Sequence, residues 1–240
     1  MSRMRIDKFL SEMKIATRAE CKKMITAGRI RNGETVLRDP GEKIDPDMDK
    51  ILVDGNKVIY EKYQYIMLYK PAGCVTATKD NLHKTVMDYL PKDRREGLSP
   101  VGRLDKDTEG LLLITDDGDL NHGLLSPKKH VNKTYFAKVD GPVSETEVEA
   151  FARGLDIGEK NPTAPAKLEV LSSEEVLVTI TEGKFHQVKR MFEAVGMHVL
   201  YLKRISMGPL CLDESLQPGE WRMLKPEEIE ELKESTNVKR

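Results

Sequence analysis

The stretch Gly102-Arg103-Leu104-Asp105-Lys106-Asp107-Thr108-Glu109-Gly110 runs directly into Leu111-Leu112-Leu113-Ile114 and the turn Asp116-Asp117-Gly118. Two glycines bracket opposite charges at the mouth of a continuous apolar run, which is the pattern of a loop feeding a buried strand. Side chains placed there sit on a rigid scaffold yet face solvent. An Asp of ordinary pKa, ~3.9, is ionised at neutral pH, so Asp105 is available as a nucleophile or base without an activating partner. Taken alone, the stretch reads more readily as a solvated charged loop.

Working outward, Tyr65-Ile66-Met67-Leu68-Tyr69 forms an apolar strand, and residues 111–114, 135–139, 168–171, 176–180 and 199–205 supply further strands. Helices are expected at about 144–153 and 186–195. This irregular order, richer in strands than helices, predicts an α+β fold on a mixed, mostly antiparallel sheet with flanking helices and not a doubly wound nucleotide fold. In Lys133-Thr134-Tyr135 the tyrosine opens an alternating strand with Ala137 and Val139, ordinarily a packing role. In Glu182-Gly183-Lys184-Phe185-His186-Gln187-Val188-Lys189-Arg190-Met191-Phe192, three cations and a Gln stand at a helix start. They suit phosphate contacts, a partner for a buried carboxylate, or simply a solvated face. Val188, Met191, Phe192 and Val195 have core periodicity.

The N-terminal quarter differs in charge. Residues 1–31 hold nine Lys and Arg against three carboxylates, within a 240-residue chain whose net charge is −1. Ile6, Phe9, Leu10 and Met13 fall at helical spacing over residues 4–15. Thr17 with Glu20 forms a capping-box pattern, and the second helix should run to Ala27 and stop at Gly28. Arg29 to Glu34 then reads as a short strand and an Asn32-Gly33 hairpin signal. Further short strands at Lys43-Ile44 and Asp49 to Val53 precede the turn Asp54-Gly55-Asn56.

Composition excludes several classes. With 39% hydrophobic and 33% charged residues the chain reads as globular, and it contains no apolar run near the ~20 residues that span a bilayer. The first ten residues lack a signal-peptide core, so a cytoplasmic protein is expected. Cys21, Cys74 and Cys211 show no metal or disulfide spacing, and the five histidines have no pair at ligand spacing. No nucleotide-binding glycine motif, serine-hydrolase elbow or zinc-protease motif occurs. No metal and no cofactor are expected.

Arg5-Ile6-Asp7-Lys8-Phe9-Leu10, Thr17-Arg18-Ala19-Glu20, Ala27-Gly28-Arg29-Ile30 and Asn32-Gly33 together resemble an S4 domain, a small RNA-binding module of two helices and a β-hairpin. The hairpin is one residue shorter than that module's usual pattern. Tyr69-Lys70-Pro71-Ala72-Gly73, the Gly102 to Gly110 stretch, Lys133-Thr134-Tyr135 and Gly183 to Phe192 occur in the order seen in the pseudouridine synthases. They are most similar to the RsuA family of ribosomal RNA uridine isomerases.

The resemblance implies a set of roles. Asp105 attacks the target nucleotide, Tyr135 stacks on the uracil and assists loss of the C5 proton, and Lys189 holds Asp105 ionised and oriented. Lys189 stands where related branches often carry Arg. Arg103, Lys184 and Arg190, with Arg5, Lys8, Arg18, Lys22 and Arg29 of the S4 region, would contact RNA. The implied organisation is an S4 domain over 1–60, a linker over 61–64, a catalytic domain over 65–232 and a polar tail over 233–240.

The expected partner is ribosomal RNA, specifically one uridine of small-subunit 16S RNA in a pre-ribosomal particle, modified by a monomer with no membrane association. The acidic tail at Glu227, Glu228, Glu230 and Glu231 contrasts with the longer basic tails of large-subunit relatives. The alternatives are a 23S RNA synthase of the same family and a non-catalytic S4-containing RNA binder. A carboxylate hydrolase using Asp105 with Asp107 is disfavoured, because two carboxylates in a loop need not converge.

Overall fold

The computed structural model describes residues 3–13, 15–46, 48–58, 60 and 63–236. Lys14, Glu61, Lys62 and residues 237–240, assigned above to the first helix, the linker and the tail, lie outside the described residues. The chain divides into two compact units, Met1–Tyr63 and Gln64–Arg240.

The first unit comprises β1 (Met4–Arg5), α1 (Ile6–Glu12), α2 (Arg18–Thr26), β2 (Ile30–Asn32), β3 (Thr35–Leu37), β4 (Lys43–Ile44), β5 (Ile51–Val53) and β6 (Asn56–Lys57). The first helix is shorter than expected because Met4 and Arg5 pair with Ile44 and Lys43 as a strand. The Thr17–Glu20 capping box starts α2 as the sequence predicts, and the turn after Ala27 places Gly28 at φ +75°. The hairpin shifts by one residue from the expected Asn32-Gly33 turn. Asn32 pairs with Thr35, so Gly33 and Glu34 form the loop, with Gly33 taking φ +56° at the first loop position.

Ile6, Phe9, Leu10, Cys21, Ile25, Ile30 and Ile44 form this unit's core. Asp7 is fully buried beside them and is paired from solvent by two half-exposed arginines. Arg5 donates to both its oxygens at 3.1 Å, and Arg18 donates at 3.4 Å. The Arg5 hydrogen bonds hold the Asp7 carboxyl below the ordinary carboxylate range, outweighing burial, which acts the other way.

The second unit contains β7 (Tyr65–Lys70), β8 (Ser99–Pro100), β9 (Glu109–Thr115), α3 (Gly118–Leu125), β10 (Lys133–Val139), α4 (Glu145–Arg153), β11 (Lys167–Val170), β12 (Glu175–Ile180), α5 (Gln187–Ala194), β13 (Val199–Met207), β14 (Leu210–Cys211), β15 (Trp221–Met223) and α6 (Pro226–Thr236). The strand order β11-β12-β10-β13-β9-β7-β15 makes one mixed sheet, with β14 beside β13 and β8 beside β9. Only the β13–β9 pairing in it is parallel. The α+β class read from the element order is the one observed.

Two elements depart from expectation. Asp116-Asp117-Gly118 was read as a turn, but Asp117 caps α3 by accepting from Leu120 N at 3.0 Å, and it also accepts from the Tyr65 hydroxyl at 2.7 Å. The helix α6 continues through 233–236, predicted as tail, because Leu232 and Thr236 are buried and the Thr236 hydroxyl donates to the Leu232 carbonyl. No helix among the described residues is long and apolar enough to cross a membrane.

Replacing Asp7 by Asn leaves two guanidinium groups without their carboxylate. At neutral pH this should weaken the first unit by about 1–2 kcal/mol, a figure discounted for solvent screening of the half-exposed arginines. Because the folded-state carboxyl is depressed, its stabilisation is present above the unfolded pKa of ~3.9 and lost as pH falls through the folded value. Hydrogen exchange of the α1 and α2 amides in the full chain should therefore show a wild-type advantage at pH 7 that shrinks on acidification. An advantage independent of pH would contradict this assignment.

Candidate active site

Asp105 lies in the loop between β8 and β9, and side chains and backbone from the segment that follows β7 fix that loop. Lys70 ends β7 fully buried, and its ammonium converges on the carbonyls of Thr108 at 2.8 Å, Asp105 at 2.9 Å, Pro71 at 3.1 Å and Lys106 at 3.4 Å. Burial pulls its pKa below the ordinary lysine value, opposed by nearby negative charges that include Asp107 and Asp105. The Thr76 hydroxyl accepts from Leu104 N at 3.1 Å and donates to Leu104 O at 2.7 Å, and Gly73 N donates to Lys106 O at 2.7 Å. At the loop's exit Gly110 adopts φ +104° and pairs with Arg204 across the parallel junction. A Cβ there would collide with the Arg204 backbone, so only glycine closes the loop this way.

The helix α5 brings the opposing charges. Lys189 Nζ stands 3.3 Å from Asp105 Oδ2 and 2.6 Å from Asp107 Oδ1, and His186 Nε2 stands 3.5 Å from Asp105 Oδ1. The two carboxylates thus do converge, contrary to expectation, but they do so on a shared cation. Asp105 and Lys189 are largely enclosed, whereas the Asp107 side chain is 74% exposed. Burial alone would lower the Lys189 pKa, but the Asp107 hydrogen bond and the two carboxylate charges outweigh it and hold the ammonium above its ordinary value. Desolvation likewise works against the Asp107 carboxylate, and Lys189 reverses it, leaving that carboxyl below its usual range.

Tyr135, on β10 and buried, lines the same cleft as Asp105, together with Leu104, Ile180, Val188 and Leu202. The predicted trio of Asp105, Tyr135 and Lys189 therefore meets in one place. The other predicted cations divide. Arg103 is exposed on the cleft and makes no ion pair or side-chain hydrogen bond among the described residues. Lys184 instead donates to the Asn161 and Pro162 carbonyls at 2.7 and 2.8 Å. Arg190 binds Glu159 at 2.8 Å, the Phe185 carbonyl at 3.0 Å and the Ile157 carbonyl. Both side chains pin the 157–162 segment to the start of α5.

In the first unit Arg5 and Arg18 serve Asp7, Arg29 donates to Asp54 at 2.9 Å, and Lys8 pairs with Glu12 at 3.5 Å. Lys22 is exposed and makes no ion pair among the described residues.

Sequence reasoning quoted Lys70 without giving it a role, although a lysine closing an apolar run is the available signal. His186, Lys133 and the cleft-lining Thr108, whose buried hydroxyl has no partner among the described residues, were likewise quoted without a role, and Thr76 and Arg204, which with Lys133 is a cation beside Tyr135, were not singled out. Of those cations, Lys133 donates to Val131 O at 2.9 Å and burial pushes its pKa down to about 8, with the Arg204 charge acting in the same direction. Arg204 lies opposite Tyr135 on β13 and donates to Leu111 O at 2.8 Å.

Comparisons with known proteins converge on this geometry. Residues 64–194 match the family model for RNA pseudouridylate synthases, and residues 4–51 match the S4 domain. The chain is 44% identical over 236 residues to the uncharacterized RNA pseudouridine synthase YtzG of Bacillus subtilis (strain 168), spanning 96% of this chain and 99% of that one. It is 42% identical over 228 residues to the ribosomal small subunit pseudouridine synthase A of Escherichia coli (strain K12), spanning 94% and 98%. A crystal structure of a pseudouridylate synthase superposes with a TM-score of 0.69 at 41% identity, covering 95% of this chain and 99% of the other.

Lys70→Met should strand several buried carbonyls, each costing about 1–3 kcal/mol when unpaired, and lower the thermal midpoint by roughly 5–10 °C. Lys189→Met removes the cation shared by two carboxylates and should reduce turnover by roughly 100-fold or more, against less than roughly tenfold for Asp107→Asn, whose carboxylate is mostly solvated. Thermal melts and single-turnover rates on the three variants check both orders of effect.

Proposed function

The chain belongs to the RNA pseudouridylate synthase family as an RsuA-type member with an N-terminal S4 domain, and from that premise we propose that it isomerises one uridine of small-subunit 16S ribosomal RNA through Asp105. The observation that carries this reading is the Asp105 carboxylate on a clamped loop, facing Lys189 and His186 at a cleft walled by Tyr135.

In this mechanism the target uridine leaves its stack and enters the cleft, at a cost of a few kcal/mol that backbone contacts offset. An Asp105 oxygen bonds to ribose C1′ as the C1′–N1 bond breaks, and the electron pair stays on the uracil. The detached base turns on the Tyr135 ring and bonds C1′ through C5, which releases the Asp105 carboxylate. The C5 proton is then lost and N1 ends protonated, so atoms and electrons balance without an oxidant or a second substrate. Lys189 orients Asp105 and offsets the desolvation of its charge. Tyr135 stacks on the base and assists removal of the C5 proton.

Arg103, unpaired on the cleft, serves the RNA backbone or the space vacated by the base. Lys184 and Arg190 act through the segment they hold, a change from the RNA contacts expected of them. The S4 unit supplies backbone affinity through its exposed cations, Lys22 foremost, with Arg5, Lys8, Arg18 and Arg29 sharing their charge between RNA and intrachain carboxylates. The 42% identity to a small-subunit enzyme over nearly the whole chain supports small-subunit RNA as the target.

Naked 16S RNA, naked 23S RNA and partial small-subunit particles, each carrying tritium at uracil C5, should be offered in parallel. The expected result is tritium release at one site in the small-subunit RNA, lost on Asp105→Asn with RNA affinity retained. Preferential release from 23S RNA would overturn the target assignment, and binding without any release would leave an S4-type RNA binder.

A further inference from the structure

Phe185 stands out among the exposed apolar side chains because hydrogen bonds hold the backbone around it while the residue stays 64% exposed. The Phe185 carbonyl accepts from Arg190 at 3.0 Å. On one side of it, Lys184 N donates to Gln187 Oε1 at 2.9 Å while the Lys184 ammonium holds Asn161 and Pro162. Gln187 Nε2 in turn donates to Glu182 at 2.9 Å, and Glu182 accepts from Ala164 N at 2.8 Å. On the other side His186 takes a left-handed conformation, φ +48° and ψ +34°, which a non-glycine residue adopts only where its surroundings impose it.

The result of this bracing is a stack. The Phe185 and His186 rings lie 3.8 Å apart between centroids with 19° between their planes. His186 is the inner layer, since its Nε2 is 3.5 Å from the nucleophile candidate Asp105, and Phe185 is the outer one. One apolar residue in solvent needs no explanation, but an aromatic ring braced in solvent as the continuation of a stack that starts at the reacting carboxylate does.

We propose that the Phe185–His186 stack is a platform for the nucleobase next to the target uridine, received on the outer face of Phe185. This rests on the isomerase reading above. Extracting a uridine leaves the neighbouring base with an open π-face, and an aromatic side chain replaces the lost stacking partner. The contact is tolerant of sequence because every base presents a π-face, so the platform positions RNA without choosing its sequence. Arg103, exposed on the cleft that His186 lines, supplies the charge that a base-stacking surface alone lacks.

The platform holds RNA equally in the bound and transition states, so it acts on KM and not on kcat. With small-subunit RNA as the probe, Phe185→Ala and Phe185→Leu in the full chain should raise KM about tenfold with kcat nearly unchanged, while Phe185→Tyr and Phe185→Trp restore the wild-type value. Unchanged KM in the Ala variant, or Leu performing as well as Tyr and Trp, would overturn the platform. The chain holds one tryptophan, so Phe185→Trp in a Trp221→Phe background carries a single indole at the site. Its fluorescence should be quenched when small-subunit RNA binds, and binding without quenching would also overturn the proposal. If the wild-type chain isomerises no ribosomal RNA, the functional reading fails, yet the quenching experiment still judges the platform.

Discussion

A buried ammonium must be surrounded by oxygen, and the Lys70 ammonium finds that oxygen in the carbonyls of Pro71, Asp105, Lys106 and Thr108. Three of those four belong to the loop that carries Asp105. The cation at the end of β7 therefore fixes the loop's backbone before any active-site side chain is placed, and the geometry of the cleft follows. Gly110 extends the same constraint, since it allows β9 to approach Arg204 on β13 closely enough to form the parallel junction of the sheet. Catalytic groups held within fractions of an ångström need this kind of support from residues that do not themselves react.

On this frame the charges have separate duties. Lys189 balances Asp105 and Asp107 together, and because Asp107 is mostly solvated its share is screened more than that of Asp105. Lys184 and Arg190 hold the 157–162 segment against the start of α5, which fixes the angle at which Lys189 and His186 meet the loop. Arg103 carries no intrachain obligation among the described residues, and its charge is available to a polyanion. The buried Asp7 plays an organising part in the first unit comparable to that of Lys70 in the second, with the sign of the charge reversed.

Local chemistry was legible where it leaves a mark on neighbouring residues. The capping box of Thr17 with Glu20 starts α2, α4 lies within the expected 144–153, and the apolar runs became strands within a few residues of the expected limits. The helix α3 was not legible because it begins at an Asp-Gly pair that also signals a turn, and Gly123 interrupts its short pattern. The hairpin slipped by one residue because Asn32-Gly33 and Gly33-Glu34 both supply a residue suited to positive φ, and strand pairing decided between them. In the site, the motifs identified Asp105, Tyr135 and Lys189, which the fold then brought together. The Lys70 clamp left only a lysine at the end of an apolar run, since its partners are backbone carbonyls that any residue carries. For the same reason Lys184 and Arg190 could not be told in advance from RNA-facing cations.

The central claim is that the carboxylate held by this loop forms a bond to the target nucleotide. Stopping single turnovers on small-subunit RNA with acid tests this bond, because an Asp105–C1′ ester exists only between the breaking of C1′–N1 and the bonding of C5 to C1′. After RNA digestion, mass spectrometry of the protein's peptides should place a base-free ribose phosphate on the peptide containing Asp105 while product is forming, absent from the Asp105→Asn variant. An adduct on another residue, or none at any time while product forms, would contradict the assignment of Asp105 as the nucleophile.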